Sequence, residues 1–140
     1  MSGPGRPGFD LFPLHRTLGI TAEDVRPGYA RIAMKTSSLT LGGVGGSVHG
    51  GLLALLVDVA MLEALIPMLQ GDEQAAGTAD LNITYLRPAT GDRVVAEATV
   101  LRKGRQLAVS EVAIFNGEST LCAKGRTIYA LRPNGASGGR

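Results

Sequence analysis

Residues 49–69 read HGGLLALLVDVAMLEALIPML, and this stretch decides the fold. Its leucines, alanines and methionines predict one long helix from about His49 to Leu69, with Ser47 as a candidate N-cap and Pro67 marking a frayed end. Apolar residues lie almost all round this helix, so one face of a sheet cannot cover it. A second copy of the chain is the simplest source of further apolar surface, and the pattern therefore predicts a homodimer.

The segments around the helix predict strands. Residues 29–35 alternate apolar with polar or small side chains, and the same reasoning predicts strands at 80–86, 93–101, 107–115 and 119–131. Short turns join the later strands, and Asn-Gly is the clearest of them because both residues favour positive φ. One apolar helix and one sheet bury their surfaces by lying across each other. The sequence therefore predicts an α+β fold, a long central helix wrapped by a mainly antiparallel sheet of five to six strands.

The composition is that of one ordinary domain of 140 residues. A net charge of +2 is too small to indicate nucleic-acid binding. The single Cys122 excludes an internal disulfide, and no apolar stretch follows a basic one near the N-terminus, so a cytoplasmic location is expected. The apolar run 52–66 is short of the ~20 residues that span a membrane. We expect a domain over 10–131, between a flexible N-terminus over 1–9 and a disordered tail over 132–140.

Two carboxylates interrupt the apolar helix. At 100° per residue, Asp58 and Glu63 lie about 140° apart and cannot share one face. We expect Glu63, near the end of the helix, to reach water, and Asp58, between Leu55 and Leu62, to reach it only in part. A shielded carboxylate is costly unless it is paired, so a protein keeps one for a salt bridge or hydrogen bond, or for chemistry. Both interpretations of Asp58 stay open on this ground alone.

Two glycines stand where the helix begins. The first amides of a helix lack partners within it, the helix dipole adds positive potential there, and glycine lets a ligand come close. The Gly50 amide is therefore a candidate oxyanion donor. Gly50 and Asp58 are eight residues apart, about 12 Å along one helix, too far to act on one carbonyl. If both are catalytic, the spacing predicts a site shared by two subunits whose helices lie antiparallel.

The segment HGGLLALLVD (49–58), in which the aspartate follows the histidine by nine positions, closely resembles the signature of the PaaI-type hotdog thioesterases. The resemblance continues through DLNITYLRPATGD (80–92), VLRKGRQLAVSEV (100–112) and KGRTIYAL (124–131), and covers roughly residues 28–131. It implies a hotdog fold, dimers that pair into homotetramers, no metal or other cofactor, and hydrolysis of acyl-CoA to free acid and CoA.

The same resemblance implies roles for individual residues. It implies Asp58 as general base or nucleophile, the Gly50 amide of the partner subunit as oxyanion donor, and Thr78 as the hydroxyl that positions water. His49 is implied to support the loop and the thioester. One position departs from the pattern: relatives often carry Asn or Gln six residues before the histidine, where this chain has Gly43.

Candidate substrate contacts fall into three groups. One group lies along the path that CoA takes in similar proteins, and a basic cluster at a predicted hairpin tip is a candidate for the CoA phosphates. A solvated hairpin tip is the alternative for that cluster. The third group follows from helix phase, which predicts pocket walls near the carboxylate. The residues are Tyr85, Arg87 and Pro88 on the first path; Arg102, Lys103 and Arg105 in the cluster; and Leu52, Leu55 and Met61 as walls. Gly51 at the helix start and Gly43 in the preceding loop are further candidate substrate contacts.

Other functional classes remain as alternatives. A hotdog hydratase or dehydratase would share the fold, although those proteins pair histidine and carboxylate in different motifs. A non-catalytic acyl-CoA-binding hotdog protein would suit the glycine at residue 43. Ser47 lacks the turn of a serine hydrolase nucleophile, and two histidines with scattered carboxylates do not form a metal site. We expect His15 at the surface.

Overall fold

The computed structural model describes residues Gly3–Arg132. In chain order its elements are a 3-10 turn (Phe9–Leu11), helix α1 (Pro13–Leu18), strands β1 (Ile20–Arg26) and β2 (Tyr29–Lys35), a 3-10 turn (Val44–Gly46), helix α2 (Gly50–Leu65), a 3-10 turn (Ile66–Met68), and strands β3 (Gln74–Tyr85), β4 (Arg93–Lys103), β5 (Leu107–Asn116) and β6 (Leu121–Arg132). The long helix and five of the strands are those that the sequence predicts.

The six strands form one antiparallel sheet in the order β1-β2-β4-β5-β6-β3. Helix α2 lies across one face of this sheet and packs on β2, β4, β5 and β6. Fully buried Leu56 of α2 shares the core with Ile32, Ala96 and Ile114 of the sheet. The predicted α+β architecture is confirmed, and it is the helix-in-sheet arrangement that the resemblance implies.

Strand β1 is not predicted from the sequence. Its residues ITAEDVR bury only Ile20 and Val25, and its pairing with β2 shifts register between Ala22 and Asp24. A bulge of this kind interrupts the period-two alternation by which strands are recognised. Backbone pairing with β2 therefore defines this strand, whereas its side-chain pattern does not predict it.

Helix α2 begins one residue later than predicted. His49 is its N-cap, and the His49 Nδ1 accepts a hydrogen bond from the Gly51 amide at 2.9 Å. The prediction of Ser47 as cap is wrong, because Ser47 lies too far before the helix and donates to the Val44 carbonyl instead, at 2.8 Å. With its 3-10 extension, Gly50–Met68 is long and apolar enough to span a membrane, but it packs across the sheet as the core helix of this domain.

Glu63 has the opposite environment from that expected, whereas Asp58 is partly shielded, as expected. Glu63 is only 1% exposed and forms a salt bridge with Arg6, whose Nε lies 2.7 Å from Glu63 Oε2. Asp58 is half-buried. The expectation that Glu63 reaches water is wrong because the N-terminal segment crosses the end of α2 and covers it.

Residues 3–9 consequently pack against the domain, in contrast to the flexible segment expected. Gly3 pairs with Val25 through two backbone hydrogen bonds, and Phe9 is buried in the core. His15 is buried as well, which overturns its expected surface location: its Nδ1 donates to the Phe9 carbonyl at 2.7 Å. Of the predicted tail, Arg132 ends β6 and residues 133–140 lie outside the described residues.

The buried ion pair leads to a stability prediction. Replacing Arg6 with alanine leaves the Glu63 carboxylate buried without its cation, and we expect a loss of about 2–3 kcal/mol in the free energy of unfolding. Arg16→Ala, a change of the same type at an exposed side chain, should cost less than about 0.5 kcal/mol. Adding Glu63→Leu to Arg6→Ala should restore most of the loss, because it removes the unpaired charge. Chemical denaturation measures all three, and equal stability of the two arginine variants would contradict the account.

Candidate active site

Asp58 lies in the middle of α2, and Thr78 of β3 contacts it. The Thr78 hydroxyl donates a hydrogen bond of 2.7 Å to Asp58 Oδ1. Within residues 3–132, Oδ2 of the same carboxylate accepts no hydrogen bond. The pairing of β3 with β6 shifts register between Thr78 and Asp80, and such a bulge changes the direction of nearby side chains. The structure thus brings together the two residues that the resemblance associates with activating water.

Tyr129 lies beside this pair and was not singled out from the sequence. It pairs with Thr78 across β3 and β6, and its side chain is almost fully buried. Burial raises the pKa of the Tyr129 phenol, the negative charge of Asp58 raises it further, and Arg6 partly opposes both. The phenol therefore stays protonated and adds no negative charge beside Asp58.

The N-terminus of α2 forms a second part of the site. Among the described residues, the Gly50 amide has no hydrogen-bond acceptor. The carbonyl of Gly50 accepts a hydrogen bond of 2.7 Å from the Tyr85 hydroxyl, and the next amide, Gly51, donates to His49 Nδ1. An amide without an acceptor at the positive end of a helix is chemically suited to hold a negatively charged oxygen.

A cleft of about 560 Å³ opens beside this helix end. Its lining is mainly apolar, and Arg87 is the cation among the lining residues; the Arg87 guanidinium also donates to the Leu121 carbonyl at 3.1 Å. Predicted residues in the lining are Gly43, His49, Gly50, Gly51, Tyr85, Arg87 and Pro88. The lining also contains residues that were not predicted as substrate contacts: Val44, Ser47, Val48, Leu53, Leu86 and Ala89. Leu86 and Ala89 lie within residues 80–92, a segment that carries the resemblance, and could have been predicted from it.

Some predicted residues lie elsewhere. Of the residues predicted as walls near the carboxylate, Leu52 and Leu55 are half-buried against the core and lie outside the cleft lining, and Met61 is fully buried and cannot form a pocket wall. Asp58 is also outside the cleft lining, eight residues further along α2. One protomer therefore holds two candidate half-sites, one at Gly50 and one at Asp58, separated by about 12 Å of helix.

The basic cluster lies at the far end of β3 from the cleft. Lys103 Nζ lies 2.8 Å from Oε1 of Glu73, the residue just before β3. Tyr85, which lines the cleft, is the last residue of the same strand. The Lys103 hydrogen bond, with a smaller effect from the Gln70 amide, lowers the pKa of the Glu73 carboxyl. Arg102 and Arg105 are exposed. Within one protomer the structure does not bring these cations to the cleft.

Two further kinds of chemistry find little support. Within residues 3–132, no group of three or more His, Cys, Asp or Glu side chains comes together in a way that could hold a metal ion. Cys122 is buried, and burial raises the pKa of its thiol, which disfavours the reactive thiolate.

The sequence model of the thioesterase superfamily matches residues 45–123, which include α2 and the strands that bear both half-sites. The chain belongs to the thioesterase superfamily. Human acyl-coenzyme A thioesterase 13 is 38% identical over 115 residues, which cover 79% of each chain. The medium/long-chain acyl-CoA thioesterase YigI of Escherichia coli K12 is 31% identical over 132 residues, 85% of each chain. The crystal structure of zebra fish thioesterase superfamily member 2 matches with a TM-score of 0.72 at 33% identity, over 89% of this chain and 87% of that one.

Membership of this family makes the protein a thioester hydrolase and confirms the hotdog fold that the resemblance implies. The match begins at residue 45, after the N-terminal segment that covers Glu63. That covering segment is therefore outside the part of the chain that the family model describes.

Gly43 stands where the resemblance expects Asn or Gln, and the loop explains why a side chain is absent. The backbone of Gly43 is extended, with φ −89° and ψ −177°, so its conformation alone does not require glycine. A Cβ atom there would collide with Ser47 Oγ and lie 2.8 Å from the Val48 carbonyl oxygen. The Gly43 amide donates to the Ser47 carbonyl at 2.9 Å, which closes the loop tightly. The tight packing of this loop therefore leaves no room for a polar side chain at residue 43.

A matched pair of substitutions tests this explanation. Gly43→Asn should lower the free energy of unfolding by about 1–3 kcal/mol, because the loop must open to admit the side chain. Gly45→Asn is the control: its φ of +65° is a conformation that asparagine tolerates, and no atom lies within 4 Å of its Cβ position. We expect the control to keep wild-type stability within about 0.5 kcal/mol in chemical denaturation. Equal stability of the two variants would refute the steric argument.

Proposed function

We propose that this protein hydrolyses acyl-CoA to a free acid and CoA, with Asp58 as the catalytic carboxylate. The observation that carries the proposal is the 2.7 Å hydrogen bond from Thr78 to Asp58 Oδ1. It orients the carboxylate through one oxygen and leaves Oδ2 available to a water molecule. The two relatives above, at 38% and 31% identity, are both named as acyl-CoA thioesterases and so support the substrate class.

In the proposed reaction, Asp58 removes a proton from water while the water oxygen bonds to the thioester carbonyl carbon. The carbonyl electron pair moves to its oxygen, and the Gly50 amide of the partner subunit donates to that oxyanion, a contact worth about 3–4 kcal/mol. The oxyanion then collapses, the carbon–sulfur bond breaks, and the CoA sulfur takes the proton from Asp58. Direct attack by Asp58 through an anhydride is the alternative route to the same products.

A dimer follows from the geometry of the two half-sites. Gly50 and Asp58 of one protomer cannot meet on one carbonyl, so the proposal requires a second copy whose α2 lies antiparallel to the first. Strand β3 supplies a suitable edge, because it pairs with β6 on one side and no described strand covers the other. None of its residues is fully buried, although Leu81 and Ile83 are half-buried. Open strand edges readily pair with a second chain. Pairing of two such dimers into a homotetramer is part of the same proposal.

The pairing also suggests where CoA lies. If two β3 strands run antiparallel at the interface, the end of one strand comes beside the start of the other. The partner subunit's hairpin, with Arg102 and Arg105, then approaches the cleft that contains Tyr85 and Arg87. We propose that cations from both subunits hold the CoA phosphates and that the apolar cleft takes the adjoining part of the thioester substrate.

The proposal predicts a graded set of activities. Asp58→Asn should lower kcat for acyl-CoA hydrolysis by about 10²–10⁴-fold, because it removes the base. Thr78→Val should lower kcat by roughly tenfold through loss of the orienting hydrogen bond, whereas Thr78→Ser keeps a hydroxyl and should stay near wild type. Asp24→Asn, at a carboxylate in the distant edge strand β1, is the matched control and should leave kcat unchanged. Release of the CoA thiol from a panel of acyl-CoAs measures each rate.

Two results would overturn the proposal. Hydrolysis that survives unchanged in Asp58→Asn would remove Asp58 from the reaction. Tight binding of acyl-CoA by the wild-type protein, with no thiol released from any acyl chain, would favour a non-catalytic binding protein.

A further inference from the structure

We infer that Tyr85 is a positioning residue, and that Tyr85 and His49 together hold the peptide between Gly50 and Gly51 from opposite sides. This inference rests on the proposed function, in which the Gly50 amide stabilises the oxyanion. It gives Tyr85 a role different from the CoA contact expected from the sequence.

Both polar groups of this one peptide are held. Its carbonyl, on Gly50, accepts from the Tyr85 hydroxyl at 2.7 Å, and its N–H, on Gly51, donates to His49 Nδ1 at 2.9 Å. A peptide group is planar, so holding both its ends fixes the orientation of the whole plane. The Gly50 N–H belongs to the preceding peptide, which is joined to this plane through φ and ψ of Gly50. Holding the plane therefore limits the directions that the Gly50 N–H can take.

The acceptor role of Nδ1 also determines the tautomer of the His49 imidazole. A neutral imidazole has one N–H, so a ring that accepts at Nδ1 carries its proton on Nε2. The His49 side chain is exposed at this helix end and works here as an N-cap. Its contribution is therefore to hold a backbone amide, with no proton transfer required of it.

The glycines fit closely round the two rings. A Cβ on residue 50 would lie 3.3 Å from the Tyr85 ring, and a Cβ on residue 51 would lie 3.1 Å from the His49 ring. On the other side of the imidazole, a Cβ on residue 42 would lie 3.3 Å from His49 Cδ2. Glycine at these positions lets both rings reach the backbone, which gives a physical reason for the His-Gly-Gly motif.

Fixing this peptide matters because the helix begins with two glycines. Glycine is a weak helix former, so an unsupported helix start of this kind would fray. An oxyanion donor is effective only when it already points at the developing charge. The demand is greater here because the loop leaves no side chain at Gly43 to assist. Core packing does not explain Tyr85, since its side chain is 51% exposed.

Four variants test the inference. Tyr85→Phe keeps the ring and removes the hydroxyl, and it should lower kcat about tenfold with KM within about twofold of wild type. Tyr29→Phe, the same change on β2 away from both half-sites, is the matched control and should leave both constants unchanged. His49→Asn keeps an oxygen acceptor suited to a helix N-cap and should retain kcat within about threefold, whereas His49→Ala should lose about tenfold.

The double variant Tyr85→Phe/His49→Ala provides the sharpest readout. Because both side chains hold one peptide, the double variant should lose little more than either single variant, about tenfold to thirtyfold in kcat. Multiplicative losses of about a hundredfold would show independent roles and overturn the shared clamp. A rise in KM without loss of kcat in Tyr85→Phe would identify a substrate contact only, and kcat and KM equal to those of Tyr29→Phe would identify no role at all.

The same measurements separate this inference from the proposed function. A wild-type protein that releases no thiol contradicts the proposed hydrolysis itself. A wild-type protein that hydrolyses acyl-CoA and loses activity in Asp58→Asn, but not in Tyr85→Phe, contradicts only the positioning role.

Discussion

The structure depends on the need to cover a helix that is apolar on every side. The sheet covers one side of α2, and the N-terminal segment covers its C-terminal half, where Arg6 neutralises the buried Glu63. The middle of the helix, at Asp58, is covered incompletely and faces the open edge strand β3. The uncovered part of the helix, the half-buried carboxylate and the unpaired strand edge therefore coincide. In the proposed dimer, a second copy whose α2 lies antiparallel would bury this surface and bring its own helix end to Asp58.

The beginning of α2 meets a different demand. A donor to an oxyanion needs an amide with no acceptor, and the glycines that expose such an amide also weaken the helix. Tyr85 comes from the end of β3, so it links the sheet edge to the helix start through the Gly50 carbonyl. The same strand carries Thr78, which holds Asp58. Strand β3 thus positions both half-sites, and its edge is also the proposed interface between subunits.

Features that depend on the local sequence pattern could be predicted, whereas features that depend on contacts between residues distant in the chain could not. Periodicity and turn residues located α2 and five strands, and the spacing of Gly50 and Asp58 separated them by about 12 Å. The burial of Glu63 was not predicted because Arg6, 57 residues away in the chain, covers the helix end. The contact of Tyr85 with Gly50 spans 35 residues and could not be inferred from spacing. The bulge in β1 concealed that strand from an alternation test.

The central claim is that one active site takes Asp58 from one subunit and the Gly50 amide from its partner, and subunit mixing tests it directly. Gly50→Pro removes the amide hydrogen and adds a Cβ 3.3 Å from the Tyr85 ring, so the half-exposed Tyr85 side chain must shift slightly. Proline is accepted at the first helical position, and His49, at φ −55° and ψ 129°, already has the conformation that precedes proline. Asp58→Asn removes the carboxylate. Each variant alone should be inactive, and mixed dimers purified through two different tags should regain about half the wild-type kcat, because one of the two sites is intact. Inactive mixed dimers, formed from folded subunits, would contradict the shared site.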